Sequence, residues 1–146
     1  MVATDNPTVA VRILVVDDFD AWRLLACWML EAHKQLQVVG EAADGFQAVQ
    51  MAQEVKPDMV LMDISLPDLN GIEAARWIGK MVPTAKILFL TQHSDVILMR
   101  AAMSSGGQGY VLKEDAESEL LPAIEAVLRG EKFVSMRLRE HASANY

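Results

Sequence analysis

Cysteine is almost absent from this sequence, in which Cys27 is the only one among 146 residues. An internal disulfide is therefore impossible, which fits the cytosol, and we expect a cytoplasmic protein. No apolar run approaches the ~20 residues of a membrane span, and residues 1–10 lack the basic region and apolar core of a secretory signal. The chain has 13 basic and 20 acidic residues, so we expect neither a membrane contact nor direct nucleic-acid binding by this chain.

The composition is that of an ordinary globular domain. Hydrophobic residues make up 52% and charged residues 23% of the chain, a balance that argues against disorder. A length of 146 residues suffices for one domain with a substantial core. Residues 1–10 are polar and contain a proline, so we expect a flexible lead-in there.

Short apolar runs recur along the chain and are typical of strands that are buried on both faces of a parallel sheet. The runs are 11–16, 37–41, 59–62, 86–90 and 109–112. Apolar residues at helical spacing follow each run. The inward residues predicted for these helices include Leu24, Leu25, Trp28 and Ala32, then Phe46, Val49 and Ala52, then Ile72, Ala75 and Ile78. Strict alternation of strand and helix predicts an α/β fold, with a parallel sheet covered by helices on both faces.

Several residues are predicted to mark the ends of helices. Asp20 and Ser94 suit N-caps, and Gly130 suits the end of the last helix. Pro122 should lie in the first turn of that helix, because elsewhere it would remove a backbone hydrogen bond. Residues 131–146 are weakly patterned and predict either a frayed helical extension or the start of a linker.

The predicted strands end in polar residues that should meet at one edge of the sheet, because parallel strands share their carboxyl end. These residues are Asp17, Asp18, Asp63, Thr91 and Lys113. Two carboxylates at ~4 Å repel each other by about 4 kcal/mol at an effective dielectric near 20. A bound cation relieves that repulsion, and an all-oxygen site with few protein ligands favours Mg²⁺.

A carboxylate beside Mg²⁺ and a lysine is positioned for phosphoryl transfer that gives an aspartyl phosphate. Asp63 is the candidate nucleophile, because it ends the central apolar run 59–62. Asp17 and Asp18 suit the metal, and Lys113 and the Thr91 hydroxyl can share the charge of the phosphoryl oxygens. Taken singly, each residue could instead be a helix cap or a solvated surface group, and only the joint pattern favours the site.

Four segments together resemble the receiver domain of bacterial two-component response regulators. The segments are Leu14–Asp18, Leu61–Pro67, Leu90–Thr91 and Gly109–Lys113, with Asp63 within the second and Lys113 ending the last. The resemblance covers residues 11–130. It implies a flavodoxin-like (CheY-like) sheet of five strands in the order 2-1-3-4-5, the order of the chemotaxis receiver.

The resemblance also implies roles for individual residues. Asp63 would accept a phosphoryl group from a sensor histidine kinase, with Lys113 in contact with the acid or its phosphate. Mg²⁺ would be held by Asp17, Asp18, Asp63 and the backbone carbonyl of Ser65. Thr91 would move to bind the phosphoryl group, and Tyr110 would be the switch aromatic that follows it inward. The added charge would bias a two-state element, the basis of a signalling switch.

The sequence departs from the usual receiver pattern near the predicted site. Gln92 follows Thr91 where a small residue is usual, and it could narrow access to Asp63. The segment 106–108 replaces the usual small apolar pattern. His93 lies near the site, but receivers do not require a histidine there.

The end of the chain resembles receivers of the LuxR/NarL type, which precede a helix-turn-helix domain. That resemblance rests on residues 123–130 and on Phe133, Val134 and Ser135. It implies control of transcription, with DNA bound only if a helix-turn-helix domain follows in the native protein, and a possible homodimer through the last helices. We expect either an excised receiver or a protein with a short or unusual output.

Two alternatives are compatible with part of the pattern. A haloacid-dehalogenase-type phosphatase also uses an aspartate at a strand end, but its motif is not completed after Asp18 and Asp20, because Trp22 follows. A receiver-like interaction module that is never phosphorylated would not need all the acids, Thr91 and Lys113. We therefore expect a regulatory phosphoacceptor rather than an enzyme, with at most slow self-phosphorylation from small donors and slow self-dephosphorylation.

Overall fold

The computed structural model describes residues 10–142, with the side chains of residues 141 and 142 left out. The predicted flexible lead-in at 1–10 therefore lies outside the described residues except for its last one, and residues 143–146 also lie outside. The elements are β1 Val11–Val16, α1 Asp20–Glu31, β2 Leu36–Ala42, α2 Gly45–Val55, β3 Met59–Met62, α3 Gly71–Met81, β4 Lys86–Thr91, α4 Val96–Ser104, β5 Gly107–Leu112, a 3₁₀ turn Lys113–Asp115, α5 Ala116–Leu128, β6 Phe133–Val134 and α6 Met136–Ala142.

The described strands form one parallel sheet in the order β2-β1-β3-β4-β5-β6. The predicted order 2-1-3-4-5 is confirmed, whereas the predicted count of five strands is too low by one. The added strand, β6, pairs Phe133 with Gly109 and Val134 with Tyr110. Two residues are too few to display a strand period, so this strand could not be predicted from the spacing of apolar residues.

The sheet is covered on both faces, as predicted. Helices α1 and α5 pack on one face and α2, α3, α4 and α6 on the other. Successive strand residues such as Ile13 and Leu14 point into opposite layers, and both are fully buried. This two-sided burial explains the continuous apolar runs, because neither face of a central strand meets water. Within residues 10–142, no helix has the length and apolar character that a membrane crossing requires.

The predicted inward face of α1 is wrong, whereas that of α2 is wrong at Phe46 only, because Ala52 is buried and Val49 packs against the core. In α1 the buried residues are Ala26, Cys27 and Leu30, whereas Leu24 and Trp28 are 72% and 73% exposed. In α2 the predicted Phe46 is exposed, and small residues face the sheet instead. Small side chains allow a helix axis to lie close to the sheet. Because these helices carry apolar residues on more than one side, the spacing of apolar residues does not identify the buried face.

The predicted helix ends are partly wrong. The N-cap of α1 is Phe19 rather than Asp20, which lies in the first turn, and the N-cap of α4 is Asp95 rather than Ser94. The Asp95 carboxylate accepts a hydrogen bond from the Ile97 N–H at 2.8 Å. Asp95 therefore caps the helix one residue after Ser94, and its carboxylate is a stronger acceptor than the serine hydroxyl.

The last long helix differs from prediction at its start but not at its end. Pro122 lies inside α5 rather than in its first turn, because α5 begins at Ala116. Gly130 follows the helix with a φ of 87°, a left-handed conformation that glycine adopts without steric cost. The Gly130 and Glu131 N–H groups donate to the carbonyls of Val127 and Ala126, which completes a Schellman motif.

Candidate functional site

Asp63 lies directly beyond β3, at the carboxyl edge of the sheet. Its N–H donates to the Val16 carbonyl at 3.0 Å, so the ladder between β1 and β3 fixes its position. One carboxylate oxygen, Oδ1, accepts the Ile64 N–H at 2.7 Å, and the residue is only 6% exposed. The Asp63 carboxylate is therefore held in one orientation by backbone groups, with Oδ2 left to face other side chains.

Lys113 joins Asp63 to Asp17 across the sheet edge. Its Nζ lies 3.1 Å from Asp63 Oδ2 and 2.8 Å from Asp17 Oδ2, and all three side chains are buried. Burial raises the pKa of the Asp17 carboxyl, and the Lys113 ammonium only partly offsets this. Burial lowers the pKa of Lys113, but the hydrogen bonds and charges of Asp17 and Asp63 outweigh it, so this pKa is raised.

Asp18 completes a group of three carboxylates with Asp17 and Asp63. Each contributes an oxygen, and the three oxygens lie within 4.8 Å of one another, with the Asp18 side chain exposed to solvent. One ammonium cannot neutralise three acids, so the group keeps an excess of negative charge. A cluster of hard oxygen donors that opens to water fits a divalent cation such as Mg²⁺.

Thr91 and Tyr110 lie behind the acids and are both fully buried. Thr91 Oγ1 accepts the His93 N–H at 3.3 Å, and the Tyr110 hydroxyl donates to the His93 carbonyl at 2.8 Å. Burial raises the pKa of Tyr110, and the charges of Asp63 and Asp95 add to the shift. The Tyr110 ring therefore lies inward, and the loop after β4 holds it there.

His93 has a larger part in the site than the sequence indicated. Its Nε2 lies 2.5 Å from the Ser65 hydroxyl, which joins the loop after β4 to the loop after β3. Ser65 and His93 line the same open depression as Asp18. Gln92, expected to narrow access to Asp63, is exposed. A contact between two loops leaves no periodic signal in sequence.

Trp22, on the first turn of α1, also contacts the site. The Lys113 Nζ lies 5.1 Å from the centroid of the Trp22 ring, within the range of a cation–π interaction. This ring covers the ammonium from the side of the sheet that carries α1. The sequence offered no indication of the contact, since Trp22 and Lys113 are far apart along the chain.

The structure thus brings together four of the strand-end residues that were singled out from the sequence, Asp17, Asp18, Asp63 and Lys113, whereas the Thr91 hydroxyl contacts the His93 N–H. A model of the response regulator receiver domain matches residues 13–125. The chain belongs to this family. The predicted resemblance to receivers of the LuxR type is confirmed by a solved two-component response regulator of the LuxR family from Aurantimonas. This structure is 36% identical, has a TM-score of 0.88, and the match covers 92% of this chain and 96% of the other.

Other relatives agree with this membership. The transcriptional regulatory protein LiaR of Bacillus subtilis is 35% identical over 121 residues, which cover 83% of this receiver and 57% of LiaR. The response regulator GacA of Pseudomonas aeruginosa is 34% identical over 130 residues, which cover 89% of this receiver and 61% of GacA. This chain therefore spans about three-fifths of the length of these relatives.

The response regulator domain of Thermotoga maritima CheB shows the same fold. It has a TM-score of 0.77 and an identity of 29%, and the match covers 82% of this receiver and 97% of that chain. The receiver is a regulatory domain, and its acidic cluster of Asp17, Asp18 and Asp63 can hold a metal ion.

Proposed function

We propose that this receiver is a phosphorylation-dependent signalling switch whose phosphoacceptor is Asp63. The observation that supports this most directly is the position of Asp63, buried at a strand end with Lys113 at 3.1 Å. A carboxylate oxygen of Asp63 bonds to phosphorus while the bond to a histidine nitrogen of the kinase breaks. That nitrogen leaves with the bonding electron pair and takes up a proton.

The surrounding residues supply the charge compensation that the transfer needs. The Lys113 ammonium is already within hydrogen-bond distance of Asp63 and of Asp17. A Mg²⁺ ion held by Asp17, Asp18, Asp63 and the Ser65 backbone carbonyl would neutralise the phosphoryl oxygens. Without such compensation, a dianionic group would not approach three carboxylates.

The response is a change behind the site, at Thr91 and Tyr110. The Thr91 hydroxyl is a donor that can turn toward a phosphoryl oxygen, and it is linked through His93 to the Tyr110 hydroxyl. A phosphate adds about −1.5 to −2 charge and strong acceptors near Thr91. The resulting shift in this linked group is the switching event.

Intact-mass measurement after incubation with Mg²⁺ and acetyl phosphate tests the proposal. The wild type should gain the mass of one phosphate, and Asp63→Asn should gain none. Asp68→Asn is a suitable control, because Asp68 is exposed in a left-handed conformation that asparagine tolerates. Absence of the adduct in the wild type would instead indicate a receiver-like interaction module that is not phosphorylated.

The same experiment separates a switch from an enzyme. A regulatory domain forms one adduct and loses it slowly, with at most slow self-phosphorylation and self-dephosphorylation. Sustained release of phosphate from a range of phosphate esters would instead indicate a phosphatase, the alternative for an aspartate at a strand end.

A sensor histidine kinase is the proposed partner, and transcription control is the proposed output. LiaR and DegU are both described as transcriptional regulatory proteins, and the receiver matches 57% and 58% of their lengths. DNA binding would belong to a separate helix-turn-helix domain, since this chain carries a net charge of −7. A kinase that draws on ATP implies a cytoplasmic location.

A homodimer through the last helices is also proposed. A groove of about 480 Å³ lies between α1 and α5, and its apolar lining includes Leu25, Trp28 and Leu121. Trp28 is 73% exposed and would be covered by a second copy. Sedimentation of the phosphorylated receiver should show a dimer that Trp28→Ser weakens and that Trp77→Ser, on α3 across the sheet, leaves intact.

A further inference from the structure

The segment Phe133–Ala142 lies at the lateral edge of the sheet formed by β5, and we refer to it as the C-terminal clasp. Its strand β6 adds to the edge of β5, beside Gly109 and Tyr110. The Ser135 N–H donates to the Tyr110 carbonyl at 2.9 Å. The clasp is therefore joined by backbone hydrogen bonds to the strand that ends immediately before Lys113.

Ser135 makes the contact nearest the site. It is fully buried, and its hydroxyl accepts the Leu112 N–H at 2.9 Å and donates to the Glu119 carboxylate at 2.5 Å. A buried N–H without a partner costs about 1–3 kcal/mol, so the Ser135 hydroxyl stabilises Leu112 in its place. Leu112 directly precedes Lys113, and the clasp thereby helps to position the lysine backbone.

Charged groups hold the clasp on the other side of Lys113. The Arg137 guanidinium binds both oxygens of Asp115 at 2.9 and 3.0 Å and lies 3.3 Å from Glu114. The second oxygen of Glu119 accepts the Met136 N–H at 3.1 Å. The turn that contains Lys113 is thus bound by the clasp at residues immediately before and after the lysine.

Two apolar side chains anchor the clasp in the core beside the switch aromatic. Val134 and Leu138 are 9% and 1% exposed and belong to the same cluster as Tyr110, Met99 and Ala102. Met99 and Ala102 are the buried residues of α4. The clasp therefore contacts β5, α4 and the layer around Tyr110 as well as the turn of Lys113.

We propose that the C-terminal clasp is a positioning element of the phosphorylation site, and that occupancy of Asp63 in turn tightens the clasp. This inference rests on the proposed function. A phosphoryl group on Asp63 gives Lys113 a partner of higher negative charge than the carboxylates that it already contacts, so the end of β5 fluctuates less and its bond to Ser135 opens less often. Coupling of this kind is reciprocal by thermodynamic linkage.

Hydrogen exchange of the whole chain tests the coupling without any substitution. The backbone amides of residues 133–142 should exchange at least about five times more slowly after addition of Mg²⁺ and beryllium fluoride, a phosphoryl mimic. Binding at Asp63 is verified in the same samples by native mass. Unchanged exchange in the clasp with beryllium fluoride bound would overturn the inference and leave the proposed function intact.

Substitutions test the opposite direction. Arg137→Ala removes the ion pairs that this exposed arginine makes with Asp115 and Glu114. It should slow phosphorylation by acetyl phosphate about three- to tenfold, near the lower end of typical coupling between two sites. Arg76→Ala is the matched control, because that arginine is similarly exposed and pairs with Glu73 on α3. Equal rates in both variants and the wild type would contradict the positioning role.

Variants of the buried hydrogen bonds add a second readout. Glu119→Ala should slow the phosphorylation rate and reduce the exchange response of the clasp, and Glu119→Gln, whose amide oxygen can accept one of the two hydrogen bonds, should restore both in part. A merely structural role would lower stability without altering the exchange response to beryllium fluoride. If the wild type forms neither an adduct nor a beryllium fluoride complex, both the proposed function and this inference fail.

Discussion

At the scale of single residues, Lys113 has the strongest influence on the described site. It is 9% exposed and pairs with two buried carboxylates, those of Asp17 and Asp63, through contacts of 2.8 and 3.1 Å. Buried ion pairs contribute little net stability compared with apolar groups, but removal of one partner leaves the other charge uncompensated. Loss of Lys113 should therefore destabilise the protein mainly because two carboxylates are left without a counter-charge, and less because an attractive contact is lost.

Substitution of Lys113 should destabilise the metal-free receiver and make its stability depend on Mg²⁺. Lys113→Met should lower the free energy of unfolding by about 3–5 kcal/mol in EDTA, because two carboxylates then repel without a cation. Mg²⁺ should restore much of this loss. Urea unfolding with and without Mg²⁺ measures the effect, and Lys132→Met, at an exposed position, serves as control. A Lys113→Met loss that Mg²⁺ leaves unchanged would contradict this account.

Cys27 is a free cysteine that is buried on the inner face of α1. Burial raises the pKa of its thiol to about 11 from the ordinary 9.0, with the charges of Glu41 and Glu31 adding to the shift. The folded state then holds the thiol proton more tightly than the unfolded state. This stabilisation is complete below pH 9 and is lost as the pH rises toward 11.

The predicted loss over that range is about 2–3 kcal/mol of unfolding free energy. Urea unfolding under reducing conditions, from pH 8 to pH 11, should show a steeper decline in the wild type than in Cys27→Ala, which has no thiol to titrate. Other groups titrate in both proteins and cancel in the difference. Parallel curves for the two proteins would show that the Cys27 pKa is not raised.

Some site residues could be predicted from sequence and others could not. Asp17, Asp63 and Lys113 follow buried strands directly, so the sheet itself brings them to one edge. His93 and Trp22 reach the site through a loop and through the first turn of a helix. Their contacts with Ser65 and Lys113 depend on how separate elements pack, which the spacing of residues along the chain does not encode.

At the scale of elements, helix α3 shows how backbone packing shapes the site. A Cβ atom at Gly71, the first residue of α3, would lie 2.1 Å from the Asp63 carbonyl oxygen. The Gly71 N–H also donates to the Ile64 carbonyl at 2.8 Å. The start of α3 thus packs directly on the backbone of Asp63, the proposed phosphoacceptor, and only glycine fits there.

Two glycine substitutions in α3 should therefore have opposite effects. Gly71→Ala should destabilise the receiver by about 1–3 kcal/mol through overpacking and should slow phosphorylation, since backbone atoms of Asp63 must shift. Gly79→Ala has open space around its Cβ and should stabilise by about 0.5–1 kcal/mol. Urea unfolding and the rate of adduct formation measure both. A Gly71→Ala variant with wild-type stability and rate would refute the steric argument.

The helices also show why their positions along the chain were easier to predict than the faces that they bury. Alternation of apolar runs and helical spacing located α1 through α5, but α1 carries apolar residues on exposed and buried sides alike. Trp28 and Leu24 are the larger side chains and were expected inside, whereas Ala26 and Cys27 face the sheet. Close packing selects small residues there, and hydrophobicity alone does not reveal that selection.

At the scale of the whole molecule, the acidic cluster links stability to the metal. A ligand that binds only the folded state stabilises it by about 2.7 kcal/mol at 100 times its dissociation constant. Asp18 is exposed and adds to the excess negative charge of the cluster, so Asp18→Asn should leave the stability in EDTA unchanged or raise it slightly. The same variant should lose most of the stabilisation by Mg²⁺.

Thermal unfolding over a series of Mg²⁺ concentrations measures this effect. The wild-type midpoint should rise with Mg²⁺, and the curve for Asp18→Asn should stay nearly flat. Asp95→Asn keeps a side-chain oxygen for its N-cap and should behave like the wild type. A rise of equal size in Asp18→Asn would show that the ion binds elsewhere.

The architecture of the whole molecule was largely predictable, because five buried runs and short connections restrict a parallel sheet to few arrangements. The exception is the clasp, whose strand has two residues, Phe133 and Val134. Its stability comes from hydrogen bonds to β5 and from Leu138 in the core, and none of these contacts is local in sequence.

The contact between Trp22 and Lys113 has a practical consequence. An ammonium 5.1 Å from an indole alters its emission, so departure of Lys113 toward a new anion should change the light that this ring emits. Trp77 contributes a constant background from α3 across the sheet, whereas Trp28 lines the same groove as Trp22, so the measurement is made in a Trp28→Phe background. The fluorescence of Trp22 should therefore report the arrival of the new anion in real time without an added dye. Trp22→Phe should abolish this signal.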